Sequence, residues 1–260
     1  MNRSLWIAKT GMEGQQFKLD TIANNLANVA TNGYKRGGVV FEDLMYDNLR
    51  QVGAASSDQS QLPTGLQVGL GVRTVATSRN FTQGNLQQTS NNMDVAVQGN
   101  GFFQLTMPDG TIGYTRDGAF QIDSQGRMVN SSGLPLVNGI TVPANATNVT
   151  VAADGTVTAA IPGTVTPQTI GTITLASFIN PPGLEPKGQN IYAETAASGQ
   201  PTVGAANANG VGSLMQGFVE TSNVNVVQEL VTMIQTQRAY EMNSKAIQTS
   251  DEMLQQLGQL

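Results

Sequence analysis

The chain has no cysteine and no histidine. Without them a disulfide framework, a thiolate or imidazole metal site, and any Ser-His-Asp or Cys-His nucleophile are excluded. Aromatic residues are 5% and charged residues 12% of the 260 positions. No run approaches the roughly 20 apolar residues of a membrane-spanning helix, so no direct membrane insertion is expected. The start, MNRSLWIAKTGMEGQQ, lacks the apolar core and small-residue cleavage site of a secretory signal. Export, if it occurs, would leave no cleaved signal peptide. A net charge of −5 argues against nucleic acid, whose binding rests on clustered Lys and Arg.

Proline and glycine are unevenly spread. All ten prolines lie between Pro63 and Pro201, and Thr221 to Leu257 holds neither residue. In that stretch Val226, Met233, Tyr240, Ile247 and Leu254 stand seven apart, with Leu230 beside them. The spacing predicts one amphipathic helix about 50 Å long, too one-sided to be stable alone in water. Glu229, Gln235, Arg238, Glu241, Lys245 and Glu252 make its other faces polar, which calls for a protein partner rather than lipid.

At the other end Leu5, Met12, Leu19 and Leu26 also repeat at seven, predicting a helix over 3–30. Gly11 and Gly14 weaken it by about 1 kcal/mol each relative to alanine. Thr31-Asn32-Gly33 closes it, and Thr221, Ser222 and Asn223 are candidate caps for the last helix. Two seams on one chain predict that the terminal helices pair as an antiparallel coiled coil. Residues 1–36 carry five cations against two carboxylates and residues 220–260 two cations against five carboxylates, so the ends are complementary. Exposed pairs between them would each add a few tenths of a kcal/mol and mainly select the partner.

Between the helices, residues 71–221 read as β. Short apolar runs (Val72–Ala76, Asp94–Val97, Phe102–Leu105, Tyr114–Ile122, Met128-Val129, Leu134–Val137, Val149–Val151, Thr156–Ala160, Ile170–Ile179, Asn190–Glu194) alternate with turn signals. Asp109-Gly110, Asp117-Gly118, Gln125-Gly126 and Asp154-Gly155 are hairpin-type turns in which glycine would take a positive φ. The expected fold class is therefore mainly β, a sandwich or barrel inserted between long terminal α-helices. The organisation is 1–32 helix, 33–70 extended linker, 71–221 β domain and 222–260 helix. The polar run RQVGAASSDQSQLPT from Arg50 is either a flexible linker or a segment ordered by neighbours.

Carboxylate chemistry remains possible in principle through Asp94, Asp109, Asp117 and Asp123, as in a polysaccharide-acting enzyme. Asp109 and Asp117 each precede a glycine, which favours a turn role. Gly69-Leu70-Gly71 and Gly99-Asn100-Gly101 lack the third glycine of a dinucleotide cradle. No cofactor, metal or catalytic residue is assigned. An exposed seam at each end and no reactive constellation point to self-assembly, and a head-to-tail contact that does not close makes a helical homo-oligomer.

IANNLANVATNGYKR at Ile22–Arg36 resembles the N-terminal signature of the bacterial flagellar rod and hook axial proteins. QGFVETSNVNVVQELVTMIQTQRAYEMNSKAIQTSDEML at Gln216–Leu254 resembles their C-terminal helix, and QGNL, GNGFF and YTRDGAF between them match their β-domain phrases. The resemblance covers essentially the whole chain. It implies a non-enzymatic subunit of the distal rod, a stiff tube transmitting torque from motor to hook, with the helices as inner coiled coils and the β domain outside. A proximal rod or hook subunit is the alternative within the family. The run 46–63 resembles a rod-specific insertion that braces neighbouring subunits. Implied partners are copies of the same chain, proximal rod proteins, the hook protein and the bushing formed by the P-ring and L-ring, in the periplasm-spanning basal body reached by type III export. Implied core-interface and hinge positions are Asn24, Asn25, Leu26, Asn28, Gly33 and Tyr34. The packed seam would comprise Leu5, Met12, Leu19 and Leu26 with Val226, Leu230, Met233, Tyr240, Ile247 and Leu254.

Overall fold

The computed structural model describes residues 3–51, 55–57, 60–61, 64–164, 166–208 and 210–257. Among the described residues two helices, α1 (Arg3–Ala27) and α2 (Val226–Leu257), flank 21 strands in chain order, so the protein is mainly β with a helix at each end. The chain divides into two compact units, residues 1–26, 37–78 and 225–260 in one and residues 27–36 and 79–224 in the other.

The first unit contains both helices and the strands β1 (Gly37–Asp43), β2 (Tyr46–Arg50), β3 (Ala55–Ser57), β4 (Ser60–Gln61), β5 (Leu66–Gly69) and β6 (Val72–Arg79), with α1 and β6 each ending one residue past the division. β1 pairs with β6, β2 with β5, and β3 with β4. The run 46–63 is thus one arm and the tip of an antiparallel hairpin, of which 52–54, 58–59 and 62–63 lie outside the described residues. Composition alone suggested a linker there, because the strands are short and polar. Cross-strand pairing supplies the partners that a hydrophobic pattern would otherwise have announced. On α1, Gly14 is buried where any Cβ would sit 3.2 Å from the Phe41 ring, so the glycine lets the helix approach β1 closely.

α1 ends at Ala27, three residues short of the expected limit, in turns through Thr31. α2 begins at Val226 with Asn225 as its cap, whose Oδ1 accepts from the Gln228 N–H at 3.2 Å. Thr221, Ser222 and Asn223 lie too far upstream for that role. Asn223 instead accepts from the Arg36 N–H at 2.7 Å and donates to the Asn80 and Thr82 carbonyls.

The second unit is built on β7 (Leu86–Gln88), β8 (Val95–Gln98), β9 (Phe102–Thr106), β10 (Ile112–Thr115), β11 (Gln121–Ile122), β12 (Met128–Val129), β13 (Asn148–Val151), β14 (Thr156–Ala160), β15 (Gln168–Thr172), β16 (Thr174–Ser177), β17 (Glu185–Gly188), β18 (Ile191–Ala193), β19 (Thr202–Ala205), β20 (Ser213–Gln216) and β21 (Phe218–Glu220). Its largest sheet is antiparallel, in the order β17-β18-β10-β9-β16-β19. Successive side chains of a strand point to opposite faces. Accordingly Phe103, Leu105 and Leu175 join one apolar cluster with Val95, Phe120 and Val157, while Phe102, Tyr114, Ala176 and Tyr192 join another with Phe178. A sheet covered on both faces explains the uninterrupted apolar run at Phe102-Phe103. β13 and β14 are half-buried, with Val149, Val151, Val157 and Ala159 inward.

Three expected strands are broken. Tyr114–Ile122 becomes β10 and β11, because Asp117 turns the chain between them, its N–H donating to Thr115 Oγ1 and its Oδ1 accepting from the Ala119 N–H. Leu134–Val137 makes only isolated bridges, as Pro135 has no N–H to give a ladder. Ile170–Ile179 divides at Ile173, whose N–H is taken by the Gly155 carbonyl. Glycines 110, 126 and 155 have φ of +80°, +80° and +92°, as turn chemistry requires. Gly118 is not among the positive-φ residues. It is needed because a Cβ would lie 1.7 Å from the Val95 carbonyl oxygen, a close backbone approach and not a left-handed turn.

Candidate assembly interface

The two helices touch at regular intervals. Ser4 Oγ lies 3.4 Å from Ser250 Oγ, a Cβ on Gly11 would sit 2.9 Å from Asn243 Nδ2, and Asn25 Nδ2 donates to Glu229 Oε2 at 3.3 Å. In every pair the residue numbers add to 254, so the helices run in opposite directions. This row is polar. Asn25, Glu229, Thr236 and Ser250 are among the most buried positions of the pair, with Ala8 and Ile22 beside them on α1.

The apolar heptads lie to either side. Leu5, Met12, Leu19, Leu26, Met233 and Ile247 are half-buried, whereas Val226, Leu230, Tyr240 and Leu254 are 39%, 42%, 39% and 41% exposed. Val227, Val231, Ile234 and Met242 are also exposed on α2, and Trp6, Ile7 and Phe17 on α1. A face this apolar on single helices marks an interaction surface. Asn25 closes the end of α1: its amide accepts from the Gly37 N–H and donates to the Gly37 carbonyl, both at 2.8 Å. Asn24 is exposed and Leu26 half-buried.

The remaining motif positions belong to the second unit. Asn28 is half-buried and accepts from the Thr31 N–H and hydroxyl at the turn after α1. Gly33 has φ +68°, donates its N–H to the Glu220 carbonyl at 2.7 Å, and would place a Cβ 2.6 Å from the Asp117 nitrogen. Only glycine meets both conditions. Tyr34 is buried with the Arg79 guanidinium 5.6 Å over its ring, and Arg79 also lies 5.8 Å over Tyr192.

Next to them is a fully buried ion cluster. Lys35 Nζ is 2.5 Å from Glu220 Oε1, Arg116 Nη1 is 3.4 Å from Glu220 Oε2, and all three side chains are at most 4% exposed. Glu220 Oε1 further accepts from the Gly84 N–H at 2.8 Å, Lys35 donates to the Thr82 carbonyl at 2.8 Å, and Arg116 Nη2 donates to the Gly99 carbonyl at 2.6 Å. Burial pushes both cations below their ordinary pKa values, the Glu220 carboxylate opposing the shift. One carboxylate thus ties the segment after α1, the strand before α2 and the loop after β10. Complementary charge between the chain ends was legible in composition, but its burial was not. Lys35, Arg116 and Glu220 lie 81 and 104 residues apart in sequence, beyond any local pattern.

The carboxylates considered for catalysis fasten loops. Asp109 accepts from the Thr111 hydroxyl and N–H, which hold it below the usual carboxylate range; Asp123 accepts from the backbone of Arg127 and Gln125 and is lowered likewise. Asp94 accepts from Thr89 and Asn91, and burial pushes Asp117 up. An open cavity of about 710 Å³ at one side of the sheet is lined by Asp109, Tyr114, Glu185, Lys187 and Glu194. There Lys187 pairs with Glu185 at 2.9 Å, and Tyr114 donates to Glu194, its hydroxyl pushed up to about 12 by burial and by that carboxylate.

These features define a structural subunit with apolar helix faces turned outward. Three family models match the chain. They are the flagella basal body rod protein model over residues 5–35, the flagellar hook protein FlgE/F/G D1 domain over 96–159, and the flagellar basal body rod FlgEFG protein C-terminal model over 215–260. The chain is 54% identical to the flagellar basal-body rod protein FlgG of Buchnera aphidicola subsp. Acyrthosiphon pisum, over 99% of both chains. It is 46% identical to FlgG of Borreliella burgdorferi, over 98% of this chain and 97% of that one, and 36% identical to FlgG of Bacillus subtilis, over 99% and 98%. The chain belongs to the flagellar basal-body rod family of structural, non-enzymatic proteins. No helix among the described residues is long and apolar enough to cross a membrane.

Proposed function

We propose that this chain is a subunit of the flagellar distal rod, polymerising into a rigid helical tube that carries torque from motor to hook. The observation that carries the proposal is the pair of antiparallel terminal helices with apolar residues left on their outer faces. The two helices wind as a coiled coil, and their exposed Val227, Leu230, Val231 and Ile234 become buried against other copies. At roughly 25 cal/mol per Å² of apolar surface, such burial over many copies outweighs the ordering cost of the helices. The seam is then formed by Leu5, Met12, Leu19, Leu26, Val226, Leu230, Met233, Tyr240, Ile247 and Leu254, some facing within the subunit and the exposed ones between subunits. Gly33, Tyr34 and their neighbours shape the turn that follows α1. The hairpin containing residues 46–63 braces adjacent copies, which its exposed Met45, Tyr46, Leu49 and Leu66 favour. In the basal body the polymer joins proximal rod proteins and the hook protein and turns within the ring bushing.

Substituting Ile234→Asp, at a position 56% exposed, tests the reading. An exposed substitution changes subunit stability by only about 0.5 kcal/mol. The expected result is a folded chain that supports neither swimming nor a rod of full length in isolated basal bodies. Normal swimming would overturn the proposal.

A further inference from the structure

We propose that the polar row between the terminal helices is a register key, selecting the one antiparallel alignment in which paired residue numbers add to 254. The proposal rests on the pairing described above. The apolar heptads do not select it by themselves, because Leu5, Met12, Leu19 and Leu26 on α1 and Met233, Tyr240 and Ile247 on α2 all repeat every seven. A slide of one heptad re-matches apolar side chains with apolar side chains.

The polar row does not tolerate that slide. Asn243 fills the space left by the missing side chain of Gly11, where even a Cβ would come within 2.9 Å of its Nδ2. A slide of one heptad sets Asn243 against Ser4 or Lys18, neither of which leaves that space. The Asn25 amide is already held by both backbone groups of Gly37, so its direction is set from outside the helix pair, and its contact with Glu229 fixes where α2 lies along α1. Asn25 and Glu229 are each 1% exposed, so a register that separates them leaves a buried carboxylate without this donor. A single buried polar pair choosing the alignment of a coiled coil at some cost in stability is a recognised use of such residues. The position that the same sum sets opposite Lys18 is Thr236, which is only 2% exposed and whose hydroxyl donates to the Thr232 carbonyl of its own helix.

Because the chain has no cysteine, introduced pairs report without background. Gln15→Cys/Ala239→Cys is in register and Gln15→Cys/Thr232→Cys is one heptad out; none of the three positions belongs to the key. Basal bodies isolated from cells making each variant are treated with a short bis-maleimide, and links within one chain are scored by mass spectrometry. The in-register pair should link about tenfold faster, since one heptad displaces the thiols by about 10 Å along the axis. In a Glu229→Leu/Asn243→Leu background the out-of-register link should appear. Equal linking of both pairs in the parent chain would overturn the key while leaving helix pairing intact. The key is overturned equally if the leucine background leaves the out-of-register pair unlinked. If neither pair links in an assembled rod, the pairing itself falls. Should the leucine background block assembly, the ratio of the two rates in the parent chain decides alone.

Discussion

The buried ion cluster carries two cations and one carboxylate, so its two ends should respond unequally to mutation. Glu220→Gln removes the cluster's negative charge and leaves Lys35 and Arg116 buried against each other. Breaking a buried pair in this way costs about 3–5 kcal/mol. Lys35→Met instead leaves Arg116 paired with Glu220. The carboxylate keeps the Gly84 N–H, and the Thr82 carbonyl keeps the Asn223 amide, so every partner of the lost ammonium retains a contact. About 1–2 kcal/mol is expected for that change. Urea unfolding followed by near-ultraviolet circular dichroism is the assay, because Phe81, Phe102, Tyr114, Phe178 and Tyr192 pack edge-to-face in the same unit. With a slope of about 2 kcal/mol per molar urea, Glu220→Gln should lower the midpoint by about 2 M and Lys35→Met by less than half of that. A smaller loss for Glu220→Gln than for Lys35→Met would refute the charge argument.

Gly33→Ala meets both a positive φ and the Asp117 backbone at 2.6 Å, so a loss of about 2 kcal/mol or more is expected, read as a lower thermal midpoint and poor motility. The raised Tyr114 pKa means that the folded state holds that proton more tightly than the unfolded chain, so its stabilising contribution is complete below pH 10 and is lost as pH rises toward about 12. Tyr114→Phe should flatten that part of a stability–pH curve; an unchanged slope would remove the tyrosine from the account. Replacing residues 51–65 with Asn-Gly joins β2 to β5 through a two-residue turn, which retains their pairing but removes the hairpin tip. Rods made from it should assemble and bend more easily under electron microscopy, and unchanged stiffness would refute the bracing role.

Legibility depended on sequence separation. Heptad spacing placed both helices to within a few residues, since a 3.6-residue period repeats inside the element itself. The caps of α2 were misplaced because several residues in Thr221–Asn225 have suitable side chains, and only the path of the chain shows that Asn225 is next to the first turn. Turn glycines at 110, 126 and 155 were read correctly from their dipeptides, which act locally. Gly118 was not, because its constraint is the Val95 carbonyl, 23 residues away in the chain. Leu134–Val137 has the composition of a strand, yet Pro135 interrupts the ladder that a strand requires.

The amino-acid sequence by itself determined the two terminal helices, the β-rich character of the middle, the absence of nucleophile chemistry that needs histidine or cysteine, and membership of a structural family. These follow from short-range periodicity, from composition and from local motifs, none of which needs a third dimension. Tertiary structure alone decided which helix rows meet, and the rows in contact are polar while much of the apolar surface stays outside. It alone also brought Lys35, Arg116 and Glu220 into one dry cluster. The physical reason is the same in both cases: a contact between residues far apart in sequence is chosen by the geometry of the whole chain, and a polar residue carries no local sign of whether water or another side chain will satisfy it.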